Sequence, residues 1–178
     1  MTKKTSFKYI IITTILGVIL YKALFSDREK YELGVLVGSK VPDFELATII
    51  DNNKFTNNNI LEINKGYKLL NFFASWCSTC MMEHDDMMSL TMRDDIEVIG
   101  VVWRDNPTTV ENWLNEHGDP YDLLLMDKRG SSKTIFGLIG VPESFLIDKG
   151  NNIIAHYRGP INLKQIEEFL ENKISLVQ

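Results

Sequence analysis

The sequence predicts an α/β domain, a mixed sheet flanked by helices, carried behind one apolar N-terminal segment. Three observations lead there. Short apolar runs alternate with amphipathic segments from residue 39 onward, as in a sheet covered by helices. Two of the runs flank Asp148-Lys149-Gly150-Asn151, a turn cluster that makes them a hairpin. Residues 9–25 are nearly all apolar and follow Lys3, Lys4 and Lys8. With 44% hydrophobic and 24% charged residues, the chain has the means to bury a core, and its 178 residues suit one domain with an appendage.

Residues 1–8 read as a cytoplasmic tail, 9–25 as a transmembrane anchor, 26–38 as a polar linker and 39–178 as the folded domain. As a helix, the apolar segment measures about 26 Å, slightly short of a hydrocarbon core of ~30 Å. Lys8 and Lys22 can snorkel to the interfaces, where Tyr9 and Tyr21 also fit. A cleaved signal peptide shares the basic start and apolar middle, but Phe25 stands where a cleavage site wants a small side chain. Basic residues before the span place the N-terminus in the cytoplasm and the body outside, in an oxidising compartment.

In the body, strands are expected at 68–73 (KLLNFF), 97–102 (EVIGVV), 122–126 (DLLLM), 144–147 and 152–157. Helices are expected at 77–92, at 108–117 between Asn106-Pro107 and Gly118, and at 162–173, where Leu163, Ile166, Phe169 and Leu170 recur at helical spacing. An αβ-type lead-in is expected around 44–63. The order β-α-β-α-β-β-α is that of a thioredoxin-like fold.

Charge and cysteine usage narrow the function. Residues 1–25 hold four Lys and no acid, so the remainder sets 15 basic residues against 24 acidic ones, a net of −9. Such a body repels phosphate backbones, which removes the electrostatic basis for nucleic-acid binding. The two Cys, Cys77 and Cys80, fall within four residues, too few for a disulfide framework or a four-cysteine zinc site. Trp76-Cys77-Ser78-Thr79-Cys80 follows the apolar strand and opens a helix, where free N–H groups and the positive end of the dipole favour an anion. A thiol brought from a pKa of ~8.5 to ~7 gains about 2 kcal/mol for its thiolate, enough to ionise half of it at neutral pH. Cys77 then reads as the attacking sulfur and Cys80, one turn along, as the resolving one. A structural staple, or a copper or zinc site recruiting His84 or the methionines Met81, Met82, Met87, Met88 and Met92, are the alternatives. The spacing of most of those methionines suits a buried helix face. Haem attachment needs His after Cys80, where Met81 stands.

From about residue 40 to 172 the chain resembles the cytochrome c maturation thioredoxins, the CcmG/DsbE family of TlpA-like thioredoxins. The resemblance rests on Val41-Pro42-Asp43-Phe44-Glu45-Leu46, on the run from Leu69 to His84 through the Cys pair, and on Gly140-Val141-Pro142-Glu143-Ser144-Phe145-Leu146-Ile147-Asp148. It implies a redox-active Cys77–Cys80 disulfide faced by a cis Pro142, with the Val141 backbone open to an extended substrate strand. Glu83 and Glu143 match acidic positions of the family's groove; Glu83 on its own also reads as early-helix charge. Trp76 is read as a shield or a core aromatic. Asn71 stands where thioredoxins proper carry a buried Asp, and Ser78 where Pro commonly follows the nucleophile. By the same resemblance the function is that of a reductant on the periplasmic side of a bacterial inner membrane, and no cofactor or metal is expected. Its electrons come from a DsbD/CcdA-type membrane donor and go to apocytochrome c or to a haem-attachment thiol protein. A general membrane-anchored reductase, or a copper-handling or apocytochrome-binding module, is the alternative reading.

Overall fold

The computed structural model describes residues 12–18, 20 and 34–175. The chain divides into two compact units, Met1–Lys30 and Tyr31–Gln178. In the first, residues 12–18 and 20 are helical and exposed. The expected tail 1–8, the rest of the expected anchor 9–25 and residues 26–33 of the linker lie outside the described residues. Among the described residues no helix is long and apolar enough to cross a membrane.

The second unit is one seven-stranded mixed sheet with helices on both faces. Its strands are β1 (Glu45–Thr48), β2 (Lys54–Thr56), β3 (Tyr67–Phe73), β4 (Ile96–Trp103), β5 (Leu123–Asp127), β6 (Glu143–Asp148) and β7 (Ile153–Arg158). Its helices are α1 (Asn57–Glu62), α2 (Cys80–Leu90), α3 (Pro107–His117), α4 (Ser132–Phe136) and α5 (Leu163–Ser175). The strand order is β2-β1-β5-β4-β3-β6-β7. β3, β4 and β5 run parallel, joined by helical crossovers, and β6, β7, β1 and β2 pair antiparallel around them. β3 and β4 are covered on both faces, which is why their sequences are nearly unbroken apolar runs instead of alternating ones.

Side-chain alternation along β3 divides the core. Leu70 and Phe72 enter a cluster with Phe44, Phe136 and Phe145. There Phe72 lies 5.1 Å from Phe136 and meets Phe145 edge-on at 5.8 Å, contacts worth about 0.5–1.5 kcal/mol each beyond the area they bury. Leu69 faces the other way, joining Met87 and Leu90 of α2 with Ile166 and Leu170 of α5. Phe73 and Ala74 form a third cluster with both cysteines, Val110 and Leu114 of α3, and Met126. Both cysteines therefore pack at the end of β3, an interior strand covered on both faces.

The five expected strands and three expected helices are present with shifted ends, and three expectations are corrected. The lead-in is a β-hairpin followed by a short helix, not an αβ unit. Its turn is tied by Thr48, Asp51 and Asn53 around Asn52 at φ 55°, and β1 then pairs with β5. A further helix, α4, stands between β5 and β6. Its start is tied to Asp127, whose carboxylate accepts from Ser131 N–H and Oγ and from Ser132 N–H. The third correction moves the start of α2 from Cys77 to Cys80, because Cys80 N–H donates to Cys77 O at 3.1 Å and closes residues 77–80 as a tight turn ahead of the helix. By contrast α3 starts as expected, with Asn106 accepting from Thr108 N–H and Pro107 in the first turn, and stops before Gly118 at φ 98°.

Candidate active site

Cys77 and Cys80 form a disulfide between the end of β3 and the start of α2, with Cα atoms 5.3 Å apart. The turn before the helix leaves Cys77 in front of its N-terminus, where Cys80 N–H donates to Cys77 Sγ at 3.1 Å and Thr79 Oγ1 lies 3.3 Å from the same sulfur. A thiolate there would meet an N–H and the positive helix end together. Cys77 is 7% exposed and Cys80 3%, so the pair is sheltered and Cys77 is its slightly more exposed residue. Trp76 is 56% exposed beside it, its indole N–H donating to Arg104 O and its ring 6.2 Å from Trp103. The preceding turn is pinned by Asp105, which accepts from Ser75 N–H and Oγ, both at 2.7 Å.

Across from the disulfide, the Val141–Pro142 bond is cis, as the family resemblance implies. Val141 O lies 3.6 Å from Cys77 Sγ. Glu143 follows Pro142 and lines the cavity between Thr79 and Pro160 together with Val141 and Pro142. It is buried, Oε1 accepting from Ile139 N–H at 2.5 Å and Gly140 N–H at 2.9 Å, and Oε2 lying 2.8 Å from His156 Nε2. Burial pushes its carboxyl up, but the His156 bond and the two backbone N–H groups outweigh this and hold it below the usual carboxylate range.

Glu83 lies one turn after Cys80 on the same face of α2 and is 2% exposed. Its Oε1 accepts from Asn71 Nδ2 at 2.8 Å and its Oε2 from Ile161 N–H at 2.9 Å. Asn71 Nδ2 also donates to Ser144 Oγ, and the Tyr121 hydroxyl donates to Asn71 Oδ1 at 2.9 Å. Desolvation raises the Glu83 carboxyl to about 7 against the pull of these bonds. Burial and the nearby Glu83 raise the Tyr121 phenol well above its ordinary value, so it stays a donor. Gly100, paired with Asn71 across β3 and β4, makes room for this phenol, since a Cβ there would come within 2.7 Å of the Tyr121 ring. Gly100→Ala should therefore cost about 1–3 kcal/mol through overpacking and weaken the Tyr121–Asn71 bond; urea denaturation checks the first and near-ultraviolet circular dichroism the second.

Sequence reasoning does not pick out Tyr121, Ser144, Asp105 or His156. A His and a Ser at inward positions of apolar strands are the available signals, and both read equally as ordinary core polar groups. The methionine expectation needs correction. The buried face of α2 is Cys80, Glu83, His84, Met87 and Leu90, so only Met87 of the five methionines is buried, while Met81, Met82, Met88 and Met92 are 36–86% exposed. Glu83 and His84 take two of the inner positions, and four of the five methionines are left outside. His84 is engaged between helices, its Nε2 3.1 Å from His117 O and its ring edge-on to Trp113 at 4.7 Å. Among the described residues no group of three or more His, Cys, Asp or Glu could hold a metal.

A mixed sheet in which a strand buried on both faces delivers a Cys-x-x-Cys disulfide to a helix N-terminus, opposite a cis proline, defines a thioredoxin-fold thiol:disulfide oxidoreductase. The chain belongs to the Redoxin family, whose profile matches residues 36–170. It is 33% identical over 139 residues to the thiol:disulfide interchange protein HelX of Rhodobacter capsulatus, covering 78% of this chain and 75% of that one. It is 37% identical over 134 residues to the thiol:disulfide interchange protein DsbE of Escherichia coli, covering 75% and 71%. A thioredoxin-like protein from Aeropyrum pernix has the same fold, with a TM-score of 0.62 at 23% identity over 73% of this chain and 89% of that one.

Proposed function

We propose that this oxidoreductase is a membrane-anchored reductant on the periplasmic side of a bacterial inner membrane, serving cytochrome c maturation. Cys77 attacks the substrate disulfide, Cys80 resolves the mixed disulfide, and Glu83 accepts the proton that Cys80 gives up. Trp76 and Val141 border the substrate strand opposite Pro142. Apocytochrome c, or a haem-attachment thiol protein, is the substrate, since thioether bonds to haem need both of its cysteines reduced in a compartment that oxidises them. Electrons are resupplied by a membrane thiol transporter of the DsbD/CcdA type. Exposed apolar side chains at Ile12, Ile15, Leu16, Val18 and Leu20 support the anchor.

The observation that carries the direction of transfer is the buried Glu83 one turn from Cys80. A strong oxidant must stabilise its reduced, thiolate form, and a carboxylate beside the cysteines opposes that. Redox equilibration should place the couple near ~−270 mV, as for thioredoxin; a value near ~−120 mV, as for DsbA, would refute the reductant reading. The substrate is tested by trapping. In the full-length protein with Cys80→Ala, the mixed disulfide on Cys77 cannot be resolved, and apocytochrome c or a haem-attachment thiol protein should be recovered covalently. Recovery of neither removes the cytochrome assignment.

A further inference from the structure

His156 is a buried imidazole that the exchange chemistry leaves unused. It stands on β7 opposite Phe145 of β6, 2% exposed, with its ring stacked on Phe145 at 4.1 Å. Its Nδ1 side is closed by Gly34, where an added Cβ would come within 2.1 Å of that nitrogen. Ring stacking and the close glycine fix the imidazole plane, so Nε2 is aimed at Glu143 Oε2 at 2.8 Å, with Arg158 Nε 3.9 Å from the same oxygen. The other oxygen of Glu143 holds the N–H groups of Ile139 and Gly140. The next residue, Val141, presents its carbonyl to Cys77 Sγ.

We infer that His156 is a positioning residue, acting through Glu143 to hold the Ile139–Gly140–Val141 segment at the height where an extended polypeptide must lie to bring its disulfide onto Cys77. The physical reason is a chain of restraints. A carboxylate held at one oxygen alone can swing, and the two N–H groups it anchors swing with it. Nε2–H on the second oxygen removes that freedom, and a charge-assisted bond is the strong kind for the purpose. The benefit falls on substrates that use the Val141 backbone, because a small disulfide needs only the sulfur.

This inference deepens the exchange reading above, and the test separates the two. Reduced full-length protein is assayed against a cystine-containing extended peptide and against oxidised glutathione. With His156→Phe, which keeps a stacking ring but no donor, kcat/KM for the peptide should fall about tenfold further than for glutathione, the size expected for a lost bond to a charged group. His156→Asn, too short to reach Glu143, should shift the ratio in the same direction if the Phe variant does not fold. His156→Gln, whose amide nitrogen can reach the position of Nε2, should restore the ratio to within about threefold. In nuclear magnetic resonance spectra the Ile139 and Gly140 amide protons should move upfield in the Phe and Asn variants and return in the Gln variant. A folded Phe or Asn variant whose two substrates decline in equal proportion overturns the role of His156, and so does a Gln variant that behaves like Phe. A wild-type protein inert toward both disulfides overturns the exchange reading itself.

Discussion

With Cys77→Ser, disulfide reduction should fall by at least about a thousandfold, because the thiolate is the nucleophile and no third cysteine in the chain can replace it. Cys80→Ser should differ in kind: the attack on a substrate disulfide persists and turnover stops, since only the resolving sulfur is lost. The geometry predicts which sulfur reacts first. Cys77 Sγ receives the Cys80 N–H and stands ahead of the helix, whereas Cys80 lies inside the first turn, 3% exposed and on the same face as Glu83. Alkylation of the reduced protein should therefore label Cys77 first, with a midpoint below the ~8.5 of a free thiol. Preferential labelling of Cys80, or exchange that survives Cys77→Ser, would sink the assignment of the nucleophile.

Replacing Glu83 should have the largest effect on stability, and its sign depends on pH. The carboxyl titrates near 4.5 ordinarily and at about 7 in the fold. Between those values the folded protein holds a proton that the unfolded chain has released. The stabilisation present at pH 4 is therefore lost as pH rises through this window and is gone above about 7. Gln has no such dependence. For the oxidised protein, in which the cysteines do not titrate, Glu83→Gln should gain roughly 3 kcal/mol on wild type between pH 4 and pH 8, because each pH unit separating the folded and unfolded titrations is worth about 1.4 kcal/mol. Urea denaturation at the two pH values measures it, and a constant difference between the proteins would show that Glu83 is not the group responsible. The polar network can accommodate Gln: if the Asn71 amide turns over, its oxygen faces the new NH2 group and its NH2 faces the Tyr121 oxygen, which accepts as well as donates. Catalytically the same variant should lose an inflection near pH 7 in the resolution step, as followed by release of the mixed disulfide.

What can be read directly from the chain is whatever depends on neighbours in sequence. The Cys pair follows an apolar strand, Asn106-Pro107 opens α3 and Gly118 closes it, and the cluster 148–151 makes the β6–β7 hairpin; each is a signal within a few residues. The small errors are local too. α2 starts three residues late because a tight turn and an α-helix share the same first hydrogen-bonding residues. α4 escapes a periodicity reading because the groups that tie its start to Asp127 come before only five helical residues, too few for a repeating pattern.

Other features required the chain to close on itself. Glu83 meets Asn71 across 12 residues, Asn71 meets Ser144 across 73, and Ile161 reaches Glu83 across 78. No spacing rule connects such positions, so the spacing of the α2 methionines pointed inward when the buried face of the helix in fact carries Glu83, which meets the sheet at Asn71, and His84, which packs against α3. Sequence by itself determined the chemistry available to this protein, two thiols one turn apart behind an apolar strand, because those groups are placed by covalent neighbours, whereas a proline to face them was implied only by the family resemblance. Only the tertiary structure decided the electrostatics around them, a carboxyl near pKa 7 and an imidazole fixing a loop, because desolvation and hydrogen bonding depend on which distant strands close over a group.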